Sequence, residues 1–151
     1  MRIEPFKPDD ALPLVQMWRA SFEFGVGIQD PHPIEAQVSF LFEQLAPSHT
    51  LRVAKDGTAI VGFLASSPQS VGALYVQVQR IGQGIGSELL RLAQAESSGS
   101  LWLHTFAQNH RARRFYAHHG FVECEHGFES TWQLADVKLI WSRSPPQAEP
   151  L

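Results

Sequence analysis

Apolar residues recur along this chain in two rhythms. Leu14, Met17, Trp18 and Phe22 follow a three-to-four spacing, which predicts the buried face of a helix that starts after Asp9 or Asp10. Pro13 is compatible with that helix because it falls in the first turn. A second stripe, Ile34, Val38, Leu41, Phe42 and Leu45, predicts a helix over about 34–45, and the Gly- and Pro-rich segment 24–33 between them reads as a loop. Residues 2–6 read as a short first strand. Further on, β-rich runs at 49–55 and 58–66 flank Asp56-Gly57, a dipeptide that accepts the positive φ of a tight hairpin. Pro68 and its neighbours then turn the chain into a third antiparallel strand, 71–78.

After residue 80 the pattern changes to helix 84–97, strand 100–105, helix 109–119 and strands 121–127 and 136–142. Three antiparallel strands followed by this alternation imply an α/β (α+β) domain with a mixed sheet flanked by helices. No linker or internal repeat interrupts residues 1–143, and the Pro-rich tail, 144–151, is expected to be disordered.

The segment IGQGIGSELL at 81–90 carries the first chemical signal. Gly82, Gly84 and Gly86 alternate between a β-rich run and the apolar face of a helix. A strand that feeds such a loop aims several backbone N–H groups and the positive end of the helix dipole at one point, which suits a phosphate. A P-loop is excluded, since Gly86 rather than Lys precedes Ser87. A dinucleotide fold loses ground as well, because the next strand-like run, LWLHT at 101–105, ends without a carboxylate.

The arrangement resembles the GNAT superfamily of N-acetyltransferases. Their pyrophosphate loop reads Gln/Arg-x-x-Gly-x-Gly/Ala after a strand, and Ile81, Gly84 and Gly86 stand at its three positions. A second block, NHRARRFYAHHGF, supplies Asn109, Ala112, Tyr116, Gly120 and Phe121 at the family's spacing. The resemblance covers about residues 48–142. It implies a mostly antiparallel central sheet flanked by about four helices, with acetyl-CoA as the acyl donor. It further implies backbone contacts to the pantetheine from Val76 and Val78 and a pyrophosphate cradle from Ile81, Gly82, Gln83, Gly84, Gly86 and Ser87. Asn109 and Ala112 would lie on the cofactor, and Tyr116 would be the general acid that protonates the leaving sulfur. On the residues alone, Asn109 and Ser87 are equally readable as helix caps, and Tyr116 as a core aromatic beside Phe115.

Two departures stand out. Ile81 replaces the usual polar residue, with Arg80 and Gln83 nearby. No acidic residue occurs between Thr58 and Ser87, and Gly72 lies near the place where the family often has a carboxylate base. Deprotonation of the acceptor is then left to a water chain or to Glu23, Asp30 or a His. The family's acceptor site is built by the segment between the first two helices, here Phe22, Glu23, Phe24 and Asp30, a mix suited to a cationic amine with an apolar body.

Composition narrows the classes. A chain of 151 residues with 44% hydrophobic residues fits one domain with a sizeable core, and a net charge of -3 gives no electrostatic reason to expect nucleic acid. No apolar run approaches a membrane span and no signal-peptide core is evident, so a cytoplasmic enzyme is the expectation. Cys124 is the only cysteine, which excludes an internal disulfide and a thiolate metal cluster. The histidines at 104, 110, 118, 119 and 126 lack metal-motif spacing, so no metal is expected. Arg111, Arg113 and Arg114 read as a solvated helix face or as partners of a CoA phosphate. The leading function is acetyl-CoA-dependent acetylation of a primary amine on a small molecule or protein, by direct attack on the thioester. The alternative is a non-catalytic acyl-CoA sensor of the same fold; homodimer formation is left open.

Overall fold

The computed structural model describes residues 1–143; the tail expected to be disordered lies outside the described residues. Its elements are β1 (Arg2–Pro5), α1 (Ala11–Val26), α2 (Ile34–Phe40), β2 (Thr50–Asp56), β3 (Ala59–Ser66), β4 (Val71–Val76), α3 (Ile85–Glu96), β5 (Ser100–Phe106), α4 (His110–His118), β6 (Val122–Glu129) and β7 (Leu134–Ser142). The element types follow the sequence pattern, with two changes of boundary that affect the site. Helix α1 runs on through Phe24 and Gly25, because the glycine that caps it in the left-handed conformation is Gly27 at φ 82°, whose N–H donates to Glu23 O at 2.9 Å. Strand β4 stops at Val76 rather than at 78. Arg80 N–H closes on Gln77 O at 2.9 Å, and Val78–Arg80 form a single 3₁₀ turn. The helix expected over 34–45 is α-helical to Phe40 and widens to a π turn at Leu41–Leu45.

The strands form two antiparallel sheets, β1-β2-β3-β4 and β5-β7-β6. They meet at one point. Strands β4 and β5 start side by side and parallel, with a single bridge between Ser70 and Trp102 and a 3.0 Å bond from Trp102 N–H to Gln69 O. Beyond that bridge β4 pairs only with β3, and β5 only with β7, so the two sheets form no common ladder. This separation creates the cleft.

Strand β3 is covered on both faces, which explains its continuous apolar run. One core cluster includes Leu64, Leu89, Leu90, Leu101 and Leu139 and joins the two sheets beneath α3 and α4. The other, with Leu14, Val15, Leu41, Val53 and Phe63, lies between the first sheet and α1 and α2. Gly62 sets the height of α3 above β3: a Cβ there would meet Ile85 Cγ2 at 2.9 Å. Close approach of that helix fixes where its glycine loop begins.

Candidate active site

A cavity of about 390 Å³ opens between β4 and α4. Its walls come from the C-terminal turn of α1, from β4, from the loop before α3 and from α4. Asn109, Ala112 and Tyr116 face it from α4, and Leu74, Tyr75 and Val76 from β4. No carboxylate lines it, whereas Arg80 and Arg111 both do.

The glycine loop is an open cradle. Gly82 and Gly84 take φ of 86° and 88°, a region L side chains rarely adopt, and a Cβ on either would meet nothing within 4 Å. Gly84 holds the N-cap position of α3, so the free N–H groups of the first turn follow directly from the loop. Gly86 serves another end: a Cβ there would crowd Phe115 at 3.3 Å, so it lets α4 close against α3. Ser87 is within α3 and does not cap it; its Oγ lies 2.9 Å from His119 Nε2. Burial, then the charges of His118 and Arg91, holds the His119 imidazole below its ordinary value. Ile81 lines the cavity as an apolar wall. Of its two polar neighbours, Arg80 is on the wall and paired with Asp56 at 2.8 Å, while Gln83 and Val78 fall outside the lining.

Asn109 does two things at once. Its side-chain oxygen accepts the Ala112 N–H at 3.1 Å and caps α4, so the capping reading holds. Its amide nitrogen lies against Gly25 of α1, where a Cβ would come within 2.7 Å.

Tyr116 is 7% exposed and packs on Phe121, with ring centroids 5.5 Å apart. Phe115, its neighbour on α4, is half-buried and lines the cavity. Burial, then the adjacent Tyr75, pushes the Tyr116 phenol far above its ordinary value, so it keeps its proton throughout the neutral range. Its hydroxyl makes no hydrogen bond to the described residues, which leaves it free to donate into the cavity. Tyr75 was not foreseen. The signal was available, since the chain holds only two tyrosines and both face this space.

The residues expected at the acceptor site separate. Phe24 lines the cavity, with the Arg111 guanidinium 5.5 Å from its ring centre. Phe22 packs on Phe106 and Trp132. Glu23 Oε2 accepts the Asp30 N–H at 2.7 Å, and Asp30 is held 2.7 Å from His32 Nδ1 and 3.5 Å from Arg19 Nη2. These two acids shape the α1–α2 loop and do not face the cavity. In the basic run, Arg113 forks onto Glu123 at 2.6 and 3.0 Å and is thus committed to β6, while Arg111 stays at the cavity. Among the described residues no cluster of His, Cys, Asp or Glu converges as metal ligands, and no helix is long and apolar enough to cross a membrane.

A splayed pair of parallel strands, a glycine cradle at the end of the first and a tyrosine facing it from the following helix make a specific combination. Its sequence matches the acetyltransferase (GNAT) family over residues 12–121. The chain belongs to that family. No curated protein matches the chain in sequence. Solved structures that share the GNAT fold include YjaB of Escherichia coli, solved in its apo form in solution (20% identity, 95% of this chain and 98% of that one, TM-score 0.77). The PaiA N-acetyltransferase of Thermoplasma acidophilum, in complex with coenzyme A, is 18% identical over 93% of this chain and 98% of its own, with a TM-score of 0.72. YncA of Salmonella typhimurium, a putative acetyltransferase with its cofactor acetyl-CoA, is 12% identical over 99% and 97%, with a TM-score of 0.71. In this GNAT domain the two family blocks, 81–86 and 109–121, therefore face one another across a single cavity.

Proposed function

We propose that this domain binds acetyl-CoA in the cleft between β4 and α4 and transfers its acetyl group to a primary amine of a small molecule or protein. The observation that carries this reading is the pairing, at one cavity, of an open Gly82–Gly84 cradle with a Tyr116 hydroxyl that has no partner among the described residues. The residues present fit the cofactor. Arg111 and a helix N-terminus suit its phosphates, Arg80 on the same wall is paired with Asp56, and no carboxylate lines the cavity itself. Two fold relatives carry coenzyme A or acetyl-CoA, which supports the same ligand here.

Acetyl-CoA supplies an acetyl group activated as a thioester. The backbone of β4 at Val76, left unpaired on its cleft side, offers its polar groups to the pantetheine arm and a dipole to the developing oxyanion. N–H groups from Gly82 to Ser87 hold the pyrophosphate, with Ile81 packing beside them, and Gln83 borders this cradle from outside the lining. Asn109 donates its amide N–H to the arm beside Ala112. Val78, in the turn after β4, orients the loop rather than the arm. Tyr116 holds its proton until the sulfur leaves. The acceptor enters by Phe24, along the loop that Phe22, Glu23 and Asp30 shape.

The absence of a carboxylate from the cavity also fits the second reading, a domain that binds acyl-CoA without turnover. A thiol-release assay with acetyl-CoA and a panel of arylalkylamines, polyamines and peptides with free amino termini separates the two. The transferase reading predicts amine-dependent release of thiol and an acetylated product by mass. Binding of acetyl-CoA without turnover of any amine would favour the sensor.

A further inference from the structure

The chemistry proposed above requires a neutral amine, yet neither the cavity nor any of the chain from Thr58 to Ser87 offers a carboxylate to deprotonate one. The structure places a different group where β4 lacks a side chain. The register aligns Thr50 with Ser66 and Ser66 with Val71, so the starts of β2 and β4 lie at the same end of the sheet with β3 between them. Ala65 pairs with Ala73 and Ser66 with Val71, which leaves Gly72 as the unpaired residue of a bulge. His49, just before β2, reaches across to it. A Cβ built on Gly72 would lie 2.7 Å from His49 Nε2, 3.0 Å from Cδ2 and 3.1 Å from Cε1. The imidazole thus fills the volume that a side chain at 72 would take.

The ring's other nitrogen fixes which one is basic. Nδ1 lies 3.3 Å from the Leu45 carbonyl and 2.9 Å from Ser48 Oγ, whose own hydroxyl donates to Gln44 O at 3.4 Å. A carbonyl can only accept, and on that contact we assign the hydrogen to Nδ1, with the Ser48 hydroxyl turned to Gln44 O. The lone pair is then on Nε2, directed at Gly72. No salt bridge involves His49 among the described residues; its side-chain hydrogen-bond partners there are the Ser48 hydroxyl and the Leu45 carbonyl. Gly72 is exposed, and Leu74, the first β4 residue on the cavity wall, is two positions on. At about 3.3 Å per strand residue this is about 7 Å, the span of an amine and one water.

We propose that His49 is the general base of the acyl transfer, its Nε2 accepting the proton of the acceptor ammonium above Gly72. This inference rests on the transferase reading. Nε2 takes one proton from R–NH₃⁺ and passes it to solvent. The amine nitrogen forms its bond to the acetyl carbon as the C–S bond breaks. Tyr116 protonates the departing thiolate and is reprotonated by the second proton shed from nitrogen, so one proton net is released per turnover.

The test uses the whole chain, acetyl-CoA and the best amine of the panel above. His49→Gln is expected to lower kcat/KM at neutral pH by on the order of 10²-fold while acetyl-CoA affinity is unchanged. Its profile should climb with unit slope toward the amine's own value near 10, whereas the wild type should break well below that. In the double variant His49→Ala, Gly72→Glu, a strand carboxylate takes the vacated space and should recover at least tenfold over His49→Ala alone. A His49→Gln profile that superimposes on the wild type, or a loss of acetyl-CoA affinity parallel to the loss of turnover, would overturn the assignment and leave the transferase reading standing. Wild-type protein that binds acetyl-CoA and turns over no amine would overturn both.

Discussion

Ser87 Oγ and His119 Nε2 lie 2.9 Å apart, tying the first turn of α3 to the end of α4, the helix that carries Tyr116. The imidazole sits below its ordinary 6.5, first through burial and then through His118 and Arg91. Between the lowered and ordinary values the unfolded chain binds more protons than the folded one, so stability rises with pH there. It is lost as the pH falls from about 6.5 through the lowered value. His119→Phe, which keeps the packing on Phe115, should show a smaller drop in Tm between pH 7.5 and pH 5 than the wild type. Identical drops would show that His119 is not a source of the acid sensitivity.

Gly84→Ala and Gly84→Asp separate strain from charge. At φ 88° either side chain costs about 1–2 kcal/mol of stability. Only the aspartate adds negative charge where the pyrophosphate is proposed to lie. Thermal shift by coenzyme A should persist in the alanine variant, weakened, and vanish in the aspartate variant. Equal shifts in both would place the phosphates elsewhere.

Most of the fold was legible because it is written in short-range patterns. The Asp56-Gly57 hairpin and the alternate glycines at 82–86 follow local rules, and both family blocks have distinctive spacing. Element ends were harder to read. Gly25 falls in the segment 24–33 that reads as a loop, yet it lies within α1, where its small size serves contact with Asn109, and Gly27 makes the cap. The site was legible where side chains are close in sequence, as in Asn109 to Tyr116. Contacts across the fold, such as His49 over Gly72 or Tyr75 opposite Tyr116, depend on strand register and leave no local trace.

Gly25 offers a test of the α1–α4 contact. A Cβ would collide with the amide nitrogen of Asn109 at 2.7 Å. Gly25→Val should disturb the α4 cap and cost about 1 kcal/mol or more, seen as a lower Tm, together with weaker acetyl-CoA binding. Asn109→Asp retains a capping oxygen and should spare the Tm while still weakening the cofactor, because the amide donor is gone. Unchanged cofactor affinity in Asn109→Asp would reduce Asn109 to a cap.

Tyr116→Phe removes one oxygen from a site whose ring packing on Phe121 is otherwise preserved. Acetyl-CoA affinity should stay within about twofold while kcat falls by on the order of 10²-fold, the pattern of a lost proton donor. Wild-type turnover in the variant would assign Tyr116 to the core alone.

Calorimetric titration of the wild-type chain with acetyl-CoA and, separately, with NAD tests the central claim most directly. Both ligands carry a pyrophosphate and an adenosine; acetyl-CoA differs in the pantetheine arm proposed to lie along β4 and in its 3′-phosphate, and NAD offers neither. The account predicts one saturable acetyl-CoA site and NAD binding at least 100-fold weaker, a difference of about 2.7 kcal/mol. Equal affinities, or no heat with acetyl-CoA, would contradict it.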